Sequence, residues 1–355
     1  MTSRSQLHFD TVVIGGGQAG LSIGYYLEEQ DRDFLILDAS DCIGDTWRNR
    51  WDSLRLFTLA RNSSLPGMSF PASDDYFPTK DEMADYLQTY ATELTLPIRL
   101  NTRVKALIRN NDYYVLQTES NRLTATNVVV ATGPFQRPYI PKFADELTPS
   151  ITQLHSSDYQ NPAQLPAGSV LVVGAGNSGA EIAVELTGDG RSTWLSGRDT
   201  GHIPCWLFNS RLFWWLSGTI FTVDTWLGRK IKKRSLGQGD PLIRLTPADI
   251  RQSGVERVAR TEGMTDGKPR LEDGQVLDVD VVVWATGFRP GFEWIDLPGL
   301  TLDENGYPIH EKGVVTEEPG LYFLGLPFQR TPVSATIRGV GPDAEYIALR
   351  LNAHH

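Results

Sequence analysis

Thr11-Val12-Val13-Ile14-Gly15-Gly16-Gly17-Gln18-Ala19-Gly20 decides how this chain folds, and Val170-Leu171-Val172-Val173-Gly174-Ala175-Gly176-Asn177-Ser178-Gly179 repeats it about 160 residues later. Each copy is a run of aliphatic residues feeding a glycine turn, which predicts a buried parallel strand, a tight turn and a helix. Gly15 and Gly174 permit the turn, Gly17 and Gly176 remove a Cβ in front of the helix, and Gly20 and Gly179 let helix and strand pack closely. The helix then points its unpaired N–H groups and positive dipole end outward, at the place a pyrophosphate would take. One such turn marks a protein that binds one dinucleotide. Two mark a protein that brings two dinucleotides together and passes electrons between them.

The second strand of each copy tells the two apart. Phe34-Leu35-Ile36-Leu37-Asp38 ends on a carboxylate, which can accept hydrogen bonds from both ribose hydroxyls of an adenosine and so favours FAD or NAD. The second copy continues as Thr193-Trp194-Leu195-Ser196-Gly197-Arg198, with no carboxylate at that slot. A carboxylate would repel a 2′-phosphate, whereas Arg198 can bind it bidentately and Ser196 can donate to it. The second site therefore reads as built for NADPH; the plainer alternative makes Arg198 a surface residue paired with Asp199.

A second element repeats as well. Val128-Val129-Val130-Ala131-Thr132-Gly133 returns as Val281-Val282-Val283-Trp284-Ala285-Thr286-Gly287, followed by Arg137-Pro138 and Arg289-Pro290. Each is a buried strand entering a small-residue turn, and the two are expected to mark where the chain leaves one nucleotide domain and later returns to it. The expected fold is α/β, with two Rossmann-like dinucleotide-binding domains: an NADPH domain at 150–285 inserted into an FAD domain made of 1–149 and 286–355.

Composition agrees with a large enzyme. The chain has 355 residues, which exceeds one ordinary core, and a net charge of −10 argues against a nucleic-acid partner. Lys230, Lys232, Lys233 and Arg234 form a local basic run, read as a solvated helix end beside a Ser-Leu-Gly-Gln-Gly loop. Met1 to Phe9 has no hydrophobic signal core, so the protein is expected to be cytoplasmic, and His354-His355 reads as the remnant of an added tag. Cys42 and Cys205 stand far apart, without the closely spaced pair that a dithiol relay needs. His8, His155, His202 and His310 show no metal-ligand spacing, and no metal is expected.

Taken together, these motifs resemble the flavin-containing monooxygenases of the compact bacterial type, are similar to plant YUCCA-like enzymes, and are more distantly similar to Baeyer–Villiger monooxygenases. The resemblance spans nearly the whole chain. It includes Gly44-Asp45-Thr46-Trp47 with Arg48 and Trp51, the stretch Ser53 to Pro66, and the C-terminal Gly320 to Gly325 and Gly339 to Ala344. The family motif FxGxxxHxxxY survives only as His155 and Tyr159, with Pro149 and Ile151 in place of Phe and Gly. The resemblance implies that Thr46, Trp47 and Arg48 line FAD, that the main chain of Val104 meets the adenine, and that Gly341 and Asp343 open a helix near the flavin. It also implies that Asn62 or Arg61 places a polar side chain over the flavin.

From that resemblance, the expected reaction is oxygenation of a small organic sulfide, amine or ketone by O2 through a flavin C4a-(hydro)peroxide, driven by NADPH. Two alternatives use the same cofactors: an NADPH oxidase or electron-transfer reductase without oxygen transfer, and a nucleotide-sensing flavoprotein. The aromatic stretch Trp206, Phe208, Phe213, Trp214, Trp215, Phe221 and Trp226 is too short an apolar run to cross a bilayer of ~30 Å. It is read as a helix docked at the domain interface, or as a hydrophobic lid or a patch for a membrane surface or a second subunit, which would give a homodimer.

Overall fold

A computed structural model describes residues 7–110, 112–235 and 239–351. Three stretches singled out in the sequence fall wholly or partly outside that range: most of the N-terminal stretch from Met1, the middle of the loop after Ser235, and His354-His355.

Along the chain come β1 (Leu7–Ile14), α1 (Gln18–Glu29), β2 (Phe34–Leu37), α2 (Asp45–Arg48), α3 (Lys80–Glu93), β3 (Ile98–Arg99), β4 (Val104–Asn110), β5 (Tyr113–Thr118) and β6 (Arg122–Val130). A short β7 (Arg137–Pro138) leads to β8 (Thr152–His155), β9 (Val170–Val173), α4 (Asn177–Gly188) and β10 (Thr193–Ser196). Four helices come next: α5 (Cys205–Phe208), α6 (Arg211–Thr219), α7 (Trp226–Ser235) and α8 (Pro247–Gln252). The chain then runs through β11 (Glu256–Val258), the hairpin β12 (Thr261–Thr265) and β13 (Lys268–Leu271), and β14 (Val281–Trp284). It closes with β15 (Phe288–Arg289), β16 (Leu321–Phe323) and α9 (Ile337–Leu351).

The strands form two main sheets. The first has the order β3-β2-β1-β6-β5-β4. Along its whole length β6 runs parallel to β1; on its other side its first half pairs antiparallel with β5 and its second half parallel with β16. The second sheet is β11-β10-β9-β14-β8, and every pairing in it is parallel. Strands β2, β9 and β14 are buried at every residue, as expected where helices cover both faces of a parallel sheet.

Both passages between the sheets are sewn together. β7 pairs antiparallel with β15, Pro138 opposite Phe288 and Arg137 opposite Arg289, so the stretches that follow the two Ala-Thr-Gly segments meet in one ladder. Tyr139 also donates its N–H to Gly287 O (2.9 Å), and the Thr286 hydroxyl donates to Tyr139 O. One hydrophobic cluster continues from α1, α3 and α9 on the first sheet, through Trp51 and Leu54, to β9 and α4 on the second. The sheets are thus packed against each other rather than tethered by a linker.

Candidate active site

The two fingerprint turns have the same geometry. Gly15 has φ +109° and donates to Leu37 O (2.7 Å), while Gly174 has φ +114° and donates to Ser196 O (2.8 Å). That left-handed backbone favours glycine, and a Cβ would sit 2.6 Å from Ala131 O in the first turn and 2.1 Å from Ala285 O in the second. Ala131 and Ala285 are themselves pinned alike, donating to Ile14 O (2.8 Å) and Val173 O (2.7 Å). On the helix side, a Cβ on Gly20 or Gly179 would lie 1.8 Å from the carbonyl oxygen of Gly15 or Gly174. The Ala-Thr-Gly segments therefore brace the turns as well as carrying the chain between sheets.

Helix entry is equally matched. Gly17 and Gly176 cap α1 and α4 with φ/ψ of −77°/−170° and −76°/−173°, without a side-chain cap, and a Cβ at either position would meet nothing within 4 Å. Each helix N-terminus, at Gln18-Ala19 and at Asn177-Ser178, thus faces open space with uncapped N–H groups, a cradle suited to phosphate. Gln18 reaches back to Ala335 O (3.0 Å), and Asn177 holds Pro241 O (3.0 Å) and the Ile243 N–H (3.1 Å). Gly133 and Gly287 come after the braces at φ +72° and +80° with open space before them, and the buried Thr132 hydroxyl has no partner among the described residues.

The strand ends differ. Asp38 accepts the N–H groups of Gly16 (2.5 Å) and Ser40 (2.7 Å), which aims its carboxylate across the mouth of the first turn. The Thr102 N–H donates to the main-chain carbonyl of Asp38 (2.8 Å), so the chain entering β4 at Val104 passes the end of β2. In the second turn, the matching bond to Ser196 O puts Gly197 at the Asp38 position. Its φ is +147°, and a Cβ there would be 2.9 Å from the nitrogen of Ala175. Arg198 lies one residue further, exposed, and no described residue pairs with it; Asp199 accepts the Gly201 N–H (2.8 Å) instead.

Ser196 corrects one expectation. It is wholly buried, donates or accepts at Thr261 Oγ1 (2.8 Å), lies 2.8 Å from Ala259 O and accepts the Thr261 N–H (2.8 Å). A hydroxyl so committed inside the sheet cannot serve a 2′-phosphate. The residue the sequence reading missed is Arg257 on β11, whose guanidinium donates to Gly197 O (3.0 Å) beside Arg198. Burial lowers its pKa, with Asp199 opposing that shift. No local motif marks it, because it reaches the turn from a neighbouring strand.

A polar knot lies near the other end of the candidate site. Asn62 is buried and donates to Asn209 O (3.2 Å), while Arg338 donates to the Asn62 side-chain oxygen and lies over the Trp214 ring at 5.3 Å. Asn209 in turn accepts from Leu59 N (2.8 Å) and donates to Phe57 O (3.0 Å). Arg61 turns outward and pairs with Asp75. Of the two candidates, only Asn62 therefore points inward. Tyr86 and Tyr90 on α3 fix this segment, with the Tyr86 hydroxyl accepting from Leu65 N and donating to Met68 O, and the Tyr90 hydroxyl donating to Pro66 O, each at 2.7 Å.

Gly341 and Asp343 do not open a helix. α9 begins at Ile337, and Thr336 caps it by accepting the Gly339 N–H on its hydroxyl (3.1 Å). Pro342 inside the helix hides that start from a sequence reading, because proline is common in the first turn. Lacking an N–H, it also leaves the Arg338 carbonyl without its helical donor. Asp343 is 1% exposed, one carboxylate oxygen has no partner among the described residues, and burial pushes its pKa up to about 7 against the pull of Ser334 and Arg330.

On α2, Thr46 is exposed and Trp47 half-buried. Arg48 is spent on structure, donating to Ile43 O (2.8 Å), Asp85 (2.7 Å) and Gln88 (3.0 Å). His155 and Tyr159 are structural as well. The Ser157 N–H donates to His155 Nδ1 (3.1 Å), so Nε2 carries the proton and donates to Gly287 O (2.9 Å). Burial depresses the His155 pKa and favours that neutral form. Tyr159 donates to Glu185 (2.7 Å). Both cysteines are free, Cys42 exposed and Cys205 half-buried.

This doubled turn-and-brace architecture belongs to the pyridine nucleotide-disulphide oxidoreductase family, whose model matches residues 12–204; the chain is a member of that family and an oxidoreductase. It is 46% identical to an uncharacterised CzcO-like oxidoreductase of Geobacillus kaustophilus, over 95% of this chain and 97% of that one. It is 27% identical to the probable indole-3-pyruvate monooxygenase YUCCA7 of Arabidopsis thaliana, over 89% of this chain and 82% of the relative. The solved flavin-containing monooxygenase of Stenotrophomonas maltophilia matches with a TM-score of 0.79 at 28% identity, covering 98% of this chain and 99% of its own.

Proposed function

We propose that the chain is an FAD-dependent, NADPH-driven monooxygenase that inserts one oxygen atom of O2 into a small organic sulfide, amine or ketone. The observation carrying this reading is the pair of matching turns that differ at the strand end, a carboxylate in one and two guanidinium groups in the other. In this reading the first sheet, with 1–149 and 286–355, is the FAD domain, and the second, 150–285, is the inserted NADPH domain. The monooxygenase relatives support the same choice.

The residues present fit both cofactors. The uncapped starts of α1 and α4 would take the pyrophosphates, Asp38 the adenosine ribose, and Val104 the adenine through its main chain. Thr132, with its unpartnered hydroxyl, and half-buried Trp47 would line the flavin. Arg48 would act indirectly, by holding α2 to α3. Arg198 and Arg257 would hold the 2′-phosphate, while Ala285 braces the turn below it and Thr286 and Gly287 would face the coenzyme from the passage tied to Tyr139. FAD and NADPH supply, when bound, hydride transfer and the activation of dioxygen. The protein needs no nucleophile of its own. Asn62, oriented by Arg338 and Asn209, would direct a side-chain amide into the site, and the aromatic packing behind it would exclude water.

The test is labelled dioxygen. FAD-loaded protein given NADPH and a thioether should yield sulfoxide carrying one oxygen from O2, in proportion to NADPH consumed. NADPH consumption with hydrogen peroxide as the sole product would make it an oxidase, and a flavin that NADPH fails to reduce would make it a sensor.

A further inference from the structure

The segment joining β10 to α8 is two-faced. Inward, Phe208 and Trp214 pack with Ile243 and Val333, and Ser217 is buried beside them on the same stripe of α6. Outward, Leu212 and Trp215 occupy the opposite side of α6 at 58% exposure each, and Trp206 on α5 and Trp226 on α7 stand out at 74% and 67%. A soluble surface rarely spends three tryptophans this way. α7 is held close to the end of α6, because a Cβ on Gly228 would lie 1.9 Å from Thr222 O, and Lys312 anchors the intervening turn through Asp224 (2.6 Å). The outward tryptophans therefore belong to one continuous run of short helices, fixed to the body of the protein.

Charge accompanies this apolar side. The chain as a whole carries −10, yet α7 has no acidic residue and bears Arg229, Lys230, Lys232, Lys233 and Arg234. Lys230 lies over the Trp226 ring at 5.0 Å, which puts an ammonium directly beside an exposed indole. Tryptophan at the surface with lysine and arginine flanking it matches a lipid interface, where the indole enters the headgroup region and the cations meet anionic phosphates. We propose that α5–α7 dock the protein peripherally on an anionic lipid bilayer. A second copy is the weaker occupant: a two-fold contact would set Lys230 and Lys233 of each chain against the same cations of the other. No described helix is long and apolar enough to cross the bilayer, so the attachment is to its surface. The inner side of the same helices carries Asn209 and Trp214, which places a bound membrane close to the polar knot around Asn62.

The experiment is flotation of the FAD-loaded full chain with vesicles of phosphatidylcholine, with or without about 30% phosphatidylglycerol. Binding to the anionic vesicles should exceed binding to the neutral ones by at least about tenfold, shift tryptophan emission to the blue and weaken with added salt. Each basic side chain near such a surface contributes about fivefold, so K230E/K233E should weaken binding at least about 25-fold. W215S/W226S should weaken it by about tenfold or more, with NADPH oxidation in solution unchanged in both variants. Equal partition of the unaltered protein onto neutral and anionic vesicles, or none onto either, would overturn the proposal without any variant. A concentration-dependent dimer abolished by W215S/W226S would assign the surface to a second copy instead.

Discussion

The turns at Gly15 and at Gly174 share their main-chain hydrogen bonds, their dihedral angles and their braces, yet exchange two residues at the point that would choose a ligand. Gly16 and Asp38 in the first become Ala175 and Gly197 in the second. In the first pair the missing Cβ of Gly16, which would lie 3.0 Å from Asp38 Oδ2, leaves room for the carboxylate that its N–H orients; in the second the backbone of Gly197 closes onto Ala175, and the cations near the strand end are Arg198 and Arg257. Scaffold and selectivity are thus carried by different atoms. The scaffold is set by carbonyl positions, which both turns hold; in the proposed reading the selectivity comes from Asp38 in the first turn and from Arg198 and Arg257 in the second.

Asp38→Ala should produce the largest break in that comparison. It removes the acceptor of two backbone N–H groups together with the proposed ribose contact, at roughly 1.5–3 kcal/mol per bond to a charged group. Purified variant should lose most of its yellow colour on dialysis, while the second site still binds NADPH. Full FAD retention would show that the carboxylate only shapes the turn.

Arg198→Ala comes next, at about 2 kcal/mol, or about 30-fold in affinity for NADPH, with NADH nearly unaffected because it lacks the phosphate. Arg257→Ala should act in the same direction to a smaller degree, since its guanidinium is also bound to Gly197 O. Michaelis constants for both coenzymes test this. Equal losses for NADPH and NADH would make the arginines structural.

A smaller effect separates the two helices. Ser22 in α1 and Glu181 in α4 occupy corresponding positions; Ser22 donates to Gln18 O (2.7 Å), whereas Glu181 is a half-buried acid 3.8 Å from Arg244. Burial pushes the Glu181 pKa up from 4.5 to about 7, with Arg244 opposing. A raised carboxyl pKa gives stability that is complete below the unfolded value and lost as pH rises toward the folded one. Glu181→Gln should therefore stabilise the nucleotide-free protein by about 1–2 kcal/mol at pH ~8 and by almost nothing near pH ~5, read from thermal midpoints. An advantage that grows toward acid would reverse the assignment. The smallest effect is expected from Cys42→Ser with Cys205→Ser, which should leave NADPH-driven turnover intact; its loss in a folded, flavin-loaded protein would restore a thiol relay.

Much of this arrangement was legible in the sequence, because the deciding features are local. A fully buried strand such as Val170–Val173 writes itself as an uninterrupted aliphatic run, and the turn after it needs glycine at fixed steps. The reading failed where a residue's role depends on a distant partner. Ser196 aligns with Leu37, one step short of the Asp38 position, and its hydroxyl is taken up by Ala259 O and the Thr261 N–H. Asn209 and Arg338 reach Asn62 from far along the chain, and neither carries a spacing that announces it.

The ladder between β7 and β15 also bears on how the molecule assembles. Pairing β16 with β6 requires Leu321 to find Val128, a closure of roughly 190 residues in an unstructured chain. Once the segment between Pro138 and Phe288 has folded and its two ends are zipped, the flexible contour left to close is roughly 40 residues. On logarithmic closure entropy this lowers the cost by about 1.4 kcal/mol, close to tenfold in the closure equilibrium. The interrupted sheet is therefore completed most readily after the interruption itself has folded, which assigns an order to events that the finished structure displays all at once.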